Sequence, residues 1–534
     1  MKIFLILILF SFGFNTGFTQ MKIVYGIRNN GKEELNDSIV VYTTKETVQI
    51  TKPSFRKERQ YIDFKSGQTV QMLENGEKGY YAFRKKYETK FHEIAHDYSE
   101  ILGYPCLKTT LNIRSNKVEV YYTDMAENYG TPLLYIAEIP GLVLKVIRND
   151  NYEIYAKNIN TSDDFIKESM IPTNNITELS EGEFQQRLID SKYKTYEIFR
   201  NENLNFISEH INDFTKDVIK TAKGSVVLKK VNLPIMSEST IAIAEVTVRS
   251  NGDAYDRTGS LFVIPLTDKR NFAEAFQNGI DVLPKYKNDY EGIVITEEYE
   301  PPLELMRFIT SFGSGYYGKD NKIGGLDWED SIVYRLEVTD QLKGLKQSSD
   351  AYIGVFVGNW DKGGHIISLR IKYFEETGYQ NKVKWVVPLF NTVSYMEMEG
   401  QGYMDLFRTD TLKVRAVIPD GLKNIKLKFV TTGHGNDEFT PKVHKIFVDG
   451  KEVFNLIPWR TDCASYRENN PASGNFQNGM SSSDYSRSNW CPGIVVTPFE
   501  IMLDDVHSGE HEFKLIIPSG ENSYWNVSGC LTGE

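Results

Sequence analysis

Residues 241–265 read IAIAEVTVRSNGDAYDRTGSLFVIP, two apolar runs separated by a short polar loop. The runs at 241–248 and 260–265 have the alternating texture of half-buried β-strands, and the loop between them contains Asn, Gly and Asp, which favour turns. This stretch therefore predicts two strands of an antiparallel structure, with the loop at 251–257 exposed at one end of a sandwich.

The same pattern continues to the end of the chain. Further strands are predicted at 225–231, 354–357, 365–373, 411–418, 425–431 and 443–448, separated by long loops rich in Gly, Asn and Ser. So many strands favour two sandwiches over one barrel. We predict a mainly β chain with two antiparallel eight-stranded jelly-roll sandwiches side by side, at 224–385 and 386–534.

The first part of the chain is also rich in predicted strands. Residues 21–165 contain alternating segments at 38–43, 109–113, 117–122 and 152–157, broken by Asn-Gly and Gly. This pattern predicts a β-rich N-terminal domain. From about 163 the sequence becomes polar and permissive for helices, as in 182–190. We predict a helical linker over 166–223.

The N-terminus has the features of a secretory signal peptide. Met1-Lys2 is followed by an apolar run at 3–14 and by small and polar residues up to Gln20. A short membrane anchor is the alternative. No later stretch approaches the roughly 20 apolar residues that a spanning helix needs. We expect a protein without a membrane span that is secreted or periplasmic, with 1–20 as the signal peptide.

Composition excludes some partners. A net charge of -11 argues against a nucleic-acid partner, because phosphate binding needs concentrated Lys and Arg. The four cysteines, Cys106, Cys463, Cys491 and Cys530, are too few for a disulfide scaffold in a chain of 534 residues.

Three polar loops carry residues suited to catalysis. The first contains Asp253, Asp256 and Arg257; the second reads GHGNDE at 433–438; the third runs from 459–463 to 485–493. Paired carboxylates can activate water and protonate a leaving group when their surroundings tune their pKa. An Asp between strands is more often a turn residue that caps its own backbone, so this alternative stays open for the first loop.

Taken in order, these loops resemble the peptide:N-glycosidase F family over about 225–534. DAYDR at 253–257 is similar to the family's DEWDR, Gly433-His434 with Glu438 before His444 matches a second block, and WCPG at 490–493 matches a third. The resemblance implies an amidase that hydrolyses the bond between an N-linked glycan and asparagine, giving aspartate and a glycosylamine. It implies N-glycosylated proteins or glycopeptides as partners, and no metal or other cofactor. We expect a monomer.

The resemblance also assigns roles to individual residues. It makes Asp256 and Glu438 the catalytic carboxylates and pairs Cys463 with Cys491 in a disulfide. The expected substrate-binding residues are Arg257, Trp360, Asp361, Arg487, Trp490 and His434. One departure stands out: Gly358-Asn-Trp360 occupies the place of a Glu-Thr-Trp sequence that supplies a third carboxylate in the family. Asp361 is close enough in sequence to compensate.

A zinc peptidase is the sharpest rival. His92-Glu93-Ile94-Ala95-His96 fits the H-E-x-x-H motif, in which two histidines bind zinc and the Glu activates water. Residues 97–102 lack the Gly and the third His of the metzincin continuation, and Gly103-Tyr-Pro105 would end any helix. The surrounding sequence contains ILGYPC at 101–106, YYTD at 121–124 and EIPGLVL at 138–144, and with these segments it resembles the GLPGLI family of exported β-domains. An N-terminal domain before the amidase is also similar to the bowl-like domain of longer glycosidases.

Three other functions are compatible with sandwiches of this kind. A glycan-binding protein without catalysis would result if the change at Gly358 had removed the chemistry. A glycosidase acting between sugars is possible from two carboxylates. A copper oxygenase would need clustered His ligands, and the 8 His show no His-x-His spacing.

Overall fold

The computed structural model describes residues 20–534, apart from 53–56, 77–78, 88–93, 96–98, 163–169, 210, 320–326, 377 and 475. The chain forms two compact units, one ending at Lys192 and one running from Tyr193 to Glu534. Strands dominate both units, so the prediction of a mainly β fold is confirmed. His92, Glu93 and His96 of the zinc motif lie outside the described residues, as does nearly all of the predicted signal peptide.

The first unit is built on one large sheet. In the described part of this unit the sheet has 12 strands in the order β14-β6-β5-β4-β3-β2-β1-β13-β12-β11-β10-β7. All neighbours pair antiparallel except β14 and β6. The strands are β1 Met21–Asn29, β2 Lys32–Thr43, β3 Thr47–Thr51, β4 Glu58–Asp63, β5 Gln68–Glu74, β6 Tyr80–Lys86, β7 Ile94–Ala95, β10 Leu107–Ile113, β11 Asn116–Thr123, β12 Leu142–Arg148, β13 Tyr152–Thr161 and β14 Ile176–Glu178, with a separate hairpin of β8 Glu100–Ile101 and β9 Tyr104–Pro105.

Tight turns join neighbouring strands of this sheet. Asn30 and Gly31 connect β1 to β2 with φ of 49° and 77°. Positive φ at both central residues is the type I′ geometry, whose twist matches that of the flanking strands and which Asn-Gly adopts readily. Alternate residues of β1, such as Ile23, Tyr25 and Ile27, are fully buried and form part of the core of this unit. The β-rich N-terminal domain follows from this local pattern.

The helical linker predicted over 166–223 is only partly helical. Its helix, α1 Glu181–Asp190, begins with a capping box in which Ser180 and Glu183 bond each other's backbone N–H. The next segment, β15 Lys194–Leu204, is a strand that pairs with residues 365–373 of the second unit. β15 was not predicted as a strand because its sequence is polar. Only Phe199 and Leu204 of its side chains are fully buried.

The first sandwich of the second unit has sheets of four and six described strands. The order is β15-β27-β18-β25 in one and β16-β17-β26-β19-β24-β33 in the other. Their bounds are β16 Val218–Thr221, β17 Val226–Asn232, β18 Thr240–Ser250, β19 Thr258–Pro265, β24 Leu303–Ile309, β25 Ile332–Glu337, β26 Asp350–Val357, β27 His365–Glu375 and β33 Val495–Val496. Residues 241–265 therefore contribute to both layers, with β18 in one sheet and β19 in the other.

The second sandwich has two described sheets of four strands, β28-β36-β30-β34 and β29-β35-β31-β32. Their bounds are β28 Trp385–Asn391, β29 Leu412–Ile418, β30 Lys426–Gly435, β31 His444–Val448, β32 Lys451–Leu456, β34 Phe499–Met502, β35 Gly509–Ile516 and β36 Ser523–Gly533. This is the predicted eight-stranded sandwich. The first sandwich has more strands than predicted, because β15 and β16 lie in the expected linker and β33 comes from the C-terminal part of the chain.

Short elements occupy the connections of the second unit. They are the helices α2 Ala273–Asn278, α3 Thr339–Gly344 and α4 Leu406–Thr409, and the strand pairs β20 Arg270–Asn271 with β23 Tyr299–Glu300 and β21 Lys285–Tyr286 with β22 Tyr290–Glu291. Within the described ranges of the chain, no helix combines the length and the apolar character needed to cross a bilayer. The same ranges hold no group of three or more His, Cys, Asp or Glu arranged to bind a metal ion.

A buried ion pair joins the two sandwiches. Arg307 and Glu304, both on β24, form a bidentate pair with N–O distances of 2.6 and 2.9 Å. The other side of the guanidinium donates to the backbone carbonyl of Asn526, at 2.5 Å, and to the hydroxyl of Thr432, at 3.2 Å. Both acceptors belong to the second sandwich. Because the side chains of the pair are almost completely buried, the two sandwiches are held in one fixed arrangement.

Candidate active site

A polar cavity opens between the two sandwiches of the second unit. Its walls come from loops and strand ends of both sandwiches: Asp256, Arg257, Thr258, Ile309, Phe356, Gly358 and Trp360 from the first, and Ser394, Glu397, His434, Trp490, Tyr524 and Asn526 from the later part of the chain. Of the eight catalytic and substrate-binding residues predicted from sequence, five lie on the wall of this cavity: Asp256, Arg257, Trp360, His434 and Trp490.

The loop after β18 presents Asp256 to the cavity. Asp253 accepts a hydrogen bond from the backbone N–H of Tyr255 at 3.0 Å, so Asp253 is the turn residue that the sequence left as an alternative. Its carboxylate also binds the Arg257 side chain, through Nε at 2.8 Å and Nη2 at 3.2 Å. Arg257 is therefore engaged mainly by Asp253, which fixes the loop and leaves Asp256 turned toward the second sandwich.

Arg487 brings the two predicted catalytic carboxylates together. Its Nη1 lies 3.8 Å from Asp256 Oδ2 and pairs more closely with Glu438 Oε1. The Asp256 and Glu438 side chains are 18% and 20% exposed, so both remain accessible to a substrate. The Arg487 side chain itself is buried, and its Nε has no partner among the described residues.

The environment tunes the pKa of this group of residues. Burial raises the pKa of Asp256 to about 6, and the charge of Arg487 opposes that rise. Burial also lowers the pKa of Arg487 to about 10, which still leaves it a cation at neutral pH. A carboxylate with a pKa close to neutral is suited to accept a proton from water.

Asp437 anchors the short turn that carries Glu438. The side chain of Asp437 is 2% exposed, and its oxygens are bound by the Trp525 indole N–H at 3.0 Å, the Gly520 backbone N–H at 3.0 Å, the Ser519 hydroxyl at 2.9 Å and Lys442 Nζ at 3.3 Å. The backbone carbonyls of Asp437 and Glu438 accept from Ser488, the residue after Arg487. The turn and the arginine segment are thereby fixed to each other.

A third carboxylate in the cavity comes from an unexpected place. Glu397 follows β28 in the second sandwich, and its Oε1 lies 2.8 Å from the position that a Cβ on Gly358 would occupy. The carboxylate thus fills the space that the missing side chain at 358 leaves open. Burial raises the pKa of Glu397 to about 7, against the opposing charge of Arg257. Oε1 has no hydrogen-bond partner among the described residues.

Asp361 was expected to compensate for the carboxylate missing at Gly358, but its side chain is engaged elsewhere. Its Oδ1 accepts from the backbone N–H groups of Gly363 and Gly364, at 2.6 and 3.2 Å. Asp361 is exposed and is not part of the cavity wall. An Asp that precedes two glycines forms a local turn at little cost, and here that turn holds its carboxylate. Trp360 remains on the wall with its side chain 62% exposed.

His434 and Trp490 support the wall rather than offer free ring faces. The His434 ring stacks on Trp490 and Tyr524, with centroids 5.4 and 5.0 Å apart. Burial and the charges of Arg307 and Arg487 lower the pKa of His434 to about 3, so the imidazole is neutral. Trp490 is 3% exposed and donates through its indole N–H to the Gly433 carbonyl at 2.8 Å. Trp360 and Tyr524 are the more exposed rings of the cavity.

The predicted disulfide between Cys463 and Cys491 is confirmed and closes the loop that carries Arg487. The bridge spans 28 residues of sequence. Cys106 and Cys530 are buried and outside this bridge.

Replacing Cys463 and Cys491 together by Ser should lower the free energy of unfolding of the second unit by about 3–4 kcal/mol, the loop-entropy value for a closed loop of this size. Guanidinium unfolding of the variant and of the wild type, each with and without reductant, measures the effect. Reductant should shift the wild-type midpoint toward that of the variant. An identical midpoint for all four samples would contradict the prediction.

Several site residues were not found from the sequence. Glu397, Tyr524 and Asn526 lie outside the three polar loops, in ordinary strand and turn patterns, whereas Asp437 lies in the second loop but was given no role. Asp437 carries a weak signal, because it directly precedes Glu438 in a polar loop. Glu397 carries none, since it lies in a short acidic stretch, SYMEMEGQG at 394–402, that is typical of a solvated loop.

Three family models match the chain. The model described as Peptide-N-glycosidase F, N terminal, matches 195–373, and the model for Peptide-N-glycosidase F, C terminal, matches 402–532. A third, described as N-glycanase peptide, N-terminal domain, matches 23–185. No sequence among the curated proteins matches the chain.

Two solved structures of PNGF-II resemble the chain over nearly its whole length. A structure of PNGF-II is 33% identical over 96% of this chain and 99% of its own, with a TM-score of 0.87. A second crystal form of PNGF-II, also 33% identical, covers 97% of this chain and 98% of its own, with a TM-score of 0.80. A structure of PNGase F from Flavobacterium meningosepticum is 16% identical over 64% of this chain and 96% of its own, with a TM-score of 0.43.

Proposed function

Because this chain belongs to the peptide-N-glycosidase F family, we propose that it is a peptide-N4-(N-acetyl-beta-glucosaminyl)asparagine amidase. It hydrolyses the amide bond between an N-linked glycan and the asparagine side chain of glycoproteins and glycopeptides. One observation carries the proposal: Asp256 and Glu397, two carboxyl groups with raised pKa values, face one cavity between the sandwiches.

Asp256 acts as the general base. As a carboxylate it takes a proton from water, and the oxygen of that water attacks the side-chain carbonyl carbon of the glycosylated asparagine. A positioned base of this kind contributes roughly 10²- to 10⁴-fold to the rate. Arg487, at 3.8 Å from Asp256, favours the charged form of the base and lies close enough to stabilise negative charge that develops on the carbonyl oxygen.

Glu397 is the better placed proton donor. Collapse of the intermediate breaks the bond between the carbonyl carbon and nitrogen, and the leaving glycosylamine needs a proton. Glu438 is held in an ion pair with Arg487, and a carboxylate in an ion pair is a poor acid. Glu397 has a pKa of about 7 and no partner within the described chain for Oε1. Glu438 instead accepts hydrogen bonds from the first sugar and holds Arg487 in place.

Export and the remaining organisation belong to the same proposal. Residues 1–20 direct the chain out of the cytoplasm, to a secreted or periplasmic location where the disulfide can form. The two sandwiches form the catalytic part, and the protein acts as a monomer. The β-rich first unit docks the glycoprotein.

The chemical outcome tests the proposal against the other functions. A purified N-glycopeptide is incubated with the enzyme and the products are weighed by mass spectrometry. The amidase converts the asparagine to aspartate and releases the whole glycan, whereas a glycosidase leaves N-acetylglucosamine on an unchanged asparagine. Retention of intact glycopeptide without release would indicate a binding protein. Cleavage of the peptide backbone that a chelator prevents would indicate the zinc peptidase.

Gly358→Ala should lower kcat/KM by roughly 10- to 100-fold, because an added Cβ displaces the Glu397 carboxylate and small misplacements of a reacting group are costly. The fold should survive, since the displaced atom is the end of a flexible side chain. Rates on one glycopeptide and a thermal unfolding curve measure both effects. Gly402→Ala is the matched control, because a Cβ there meets no atom within 4 Å. Full activity in Gly358→Ala would contradict the role of Glu397.

A further inference from the structure

Three aromatic side chains form a partly exposed cluster beside the cavity, which we call the aromatic rim: Phe439, Phe476 and Tyr485. The Phe476 ring lies 4.3 Å from Tyr485 and 5.9 Å from Phe439, and the Phe439 and Tyr485 rings are 5.7 Å apart. Phe439 and Phe476 are 41% and 38% exposed. Rings that pack on each other yet stay this exposed present a continuous apolar surface to solvent.

The aromatic rim is continuous with the proposed catalytic group. Phe439 directly follows Glu438 in the chain. Its ring lies 4.8 Å from the guanidinium carbon of Arg487, and the same guanidinium lies 4.5 Å from Trp490. Trp490 is part of the cavity wall and Phe439 is not. Arg487 therefore contacts one ring inside the cavity and one ring of the surface outside it.

The chemistry of the rim differs from that of the cavity. The cavity wall includes carboxylates, Arg257 and Asn526, which can serve the many hydroxyl groups of a sugar. Phe439 and Phe476 have no hydrogen-bonding groups. The single hydroxyl of the rim, on Tyr485, is bonded to Asn478 at 2.5 Å. Covering sugar hydroxyls with such a surface would cost free energy, because they would lose their hydrogen bonds to water.

We propose that the aromatic rim binds an apolar side chain of the peptide next to the glycosylated asparagine. The proposal rests on the proposed function. With the sugar in the cavity and the asparagine carbonyl at Asp256, the peptide must lie at the entrance of the cavity. Consecutive Cα atoms are about 3.8 Å apart, so the residues one or two positions from the asparagine are within reach of the rim. The position two residues after asparagine must be Ser or Thr in an acceptor sequence, so the apolar residue precedes the asparagine or follows it directly.

Two glycopeptides with the same glycan test this. In both, the asparagine is followed two positions later by the same hydroxyl residue. The residues directly before and after the asparagine are Phe in one peptide and Ser in the other. The wild-type enzyme should release glycan from the Phe peptide with a kcat/KM about tenfold higher than from the Ser peptide. Phe476→Ser should remove most of this preference and leave the rate on the Ser peptide unchanged. Val417→Ser, at a position 66% exposed on β29, is the control and should keep the wild-type ratio.

The two measurements separate the two proposals. The Ser peptide reports the amidase activity and the folding of each variant, and no release from either peptide by the wild type would contradict the proposed function. The ratio of the two rates reports the aromatic rim. Equal rates on both peptides for the wild type, or an unchanged preference in Phe476→Ser, would overturn the inference while leaving the amidase in place.

Discussion

Asp256→Asn should lower kcat for glycan release by at least about 10³-fold, the largest effect expected of any single substitution in this chain. The amide cannot accept a proton from water at neutral pH, and it is nearly the same size as the carboxylate it replaces. The substitution removes one of the two negative charges near Arg487 and leaves that of Glu438, so the protein should fold normally. The rate is measured on a denatured glycoprotein, with the released glycan quantified and the converted aspartate detected by mass.

The control for this substitution is another aspartate at a turn. Asp420 lies at an exposed turn after β29, and Asp420→Asn should keep wild-type activity. Asp256→Asn with more than a tenth of the wild-type rate would rule out Asp256 as the base. The acid limb of the pH profile gives a second check: because the base must be ionised, kcat/KM should rise with pH through about 6, the pKa of Asp256.

Glu397→Gln should lower kcat/KM by roughly 10²-fold and change the shape of the pH profile. The proposed acid must carry a proton, so wild-type activity should fall as pH rises through about 7, the pKa of Glu397. Together with Asp256 this gives a bell-shaped profile with its maximum between about 6 and 7. Gln cannot lose a proton in this range, so the alkaline limb should disappear in the variant. Initial rates over pH 4–10 on one glycopeptide measure both effects.

A carboxylate introduced at position 358 gives an independent test of the proposed role of Glu397. Glu397→Ala alone should be as slow as the Gln variant, and adding Gly358→Glu should restore activity, because the new side chain points into the volume that Glu397 vacates. Glu399→Gln, two residues further along the same loop, is the matched control. A double variant no faster than Glu397→Ala, together with an unchanged alkaline limb in Glu397→Gln, would show that this carboxyl group does not supply the proton.

Much of the fold was predictable because it depends on local patterns. Alternating side chains and Asn-Gly turns identify strands directly, and the alternation in β29 reappears as strictly alternating burial. β15 was missed because it lies at the edge of its sheet, where most side chains face solvent and the sequence needs no apolar alternation. The extra strands of the first sandwich depend on long-range pairing, which no local pattern records.

The candidate site could be predicted only in those residues that lie in a loop of distinctive sequence. Asp256, Glu438 and Arg487 each lie in such a loop, and the structure brings the three together. Glu397 could not be found in this way, because its position in the cavity depends on Gly358 in another sandwich leaving room for it. A carboxyl group supplied across an interface has no fixed spacing in sequence to its partners. Asp361 was favoured instead for its proximity in sequence, yet the turn at Gly363 and Gly364 holds its carboxylate.

The buried pair of Arg307 and Glu304 limits how this architecture can be rearranged. Arg307 reaches Asn526 and Thr432, and the Ser528 hydroxyl donates to Glu304, so the pair has all its hydrogen bonds only when both sandwiches are present. Separating the two halves at a cut between β27 and β28 would leave the pair without the hydrogen bonds of Thr432, Asn526 and Ser528, at a cost of about 1–3 kcal/mol for each polar group that stays buried and unsatisfied. The halves should therefore not behave as interchangeable modules. A chimera should fold only if the incoming second sandwich offers a carbonyl and hydroxyls at the same three positions.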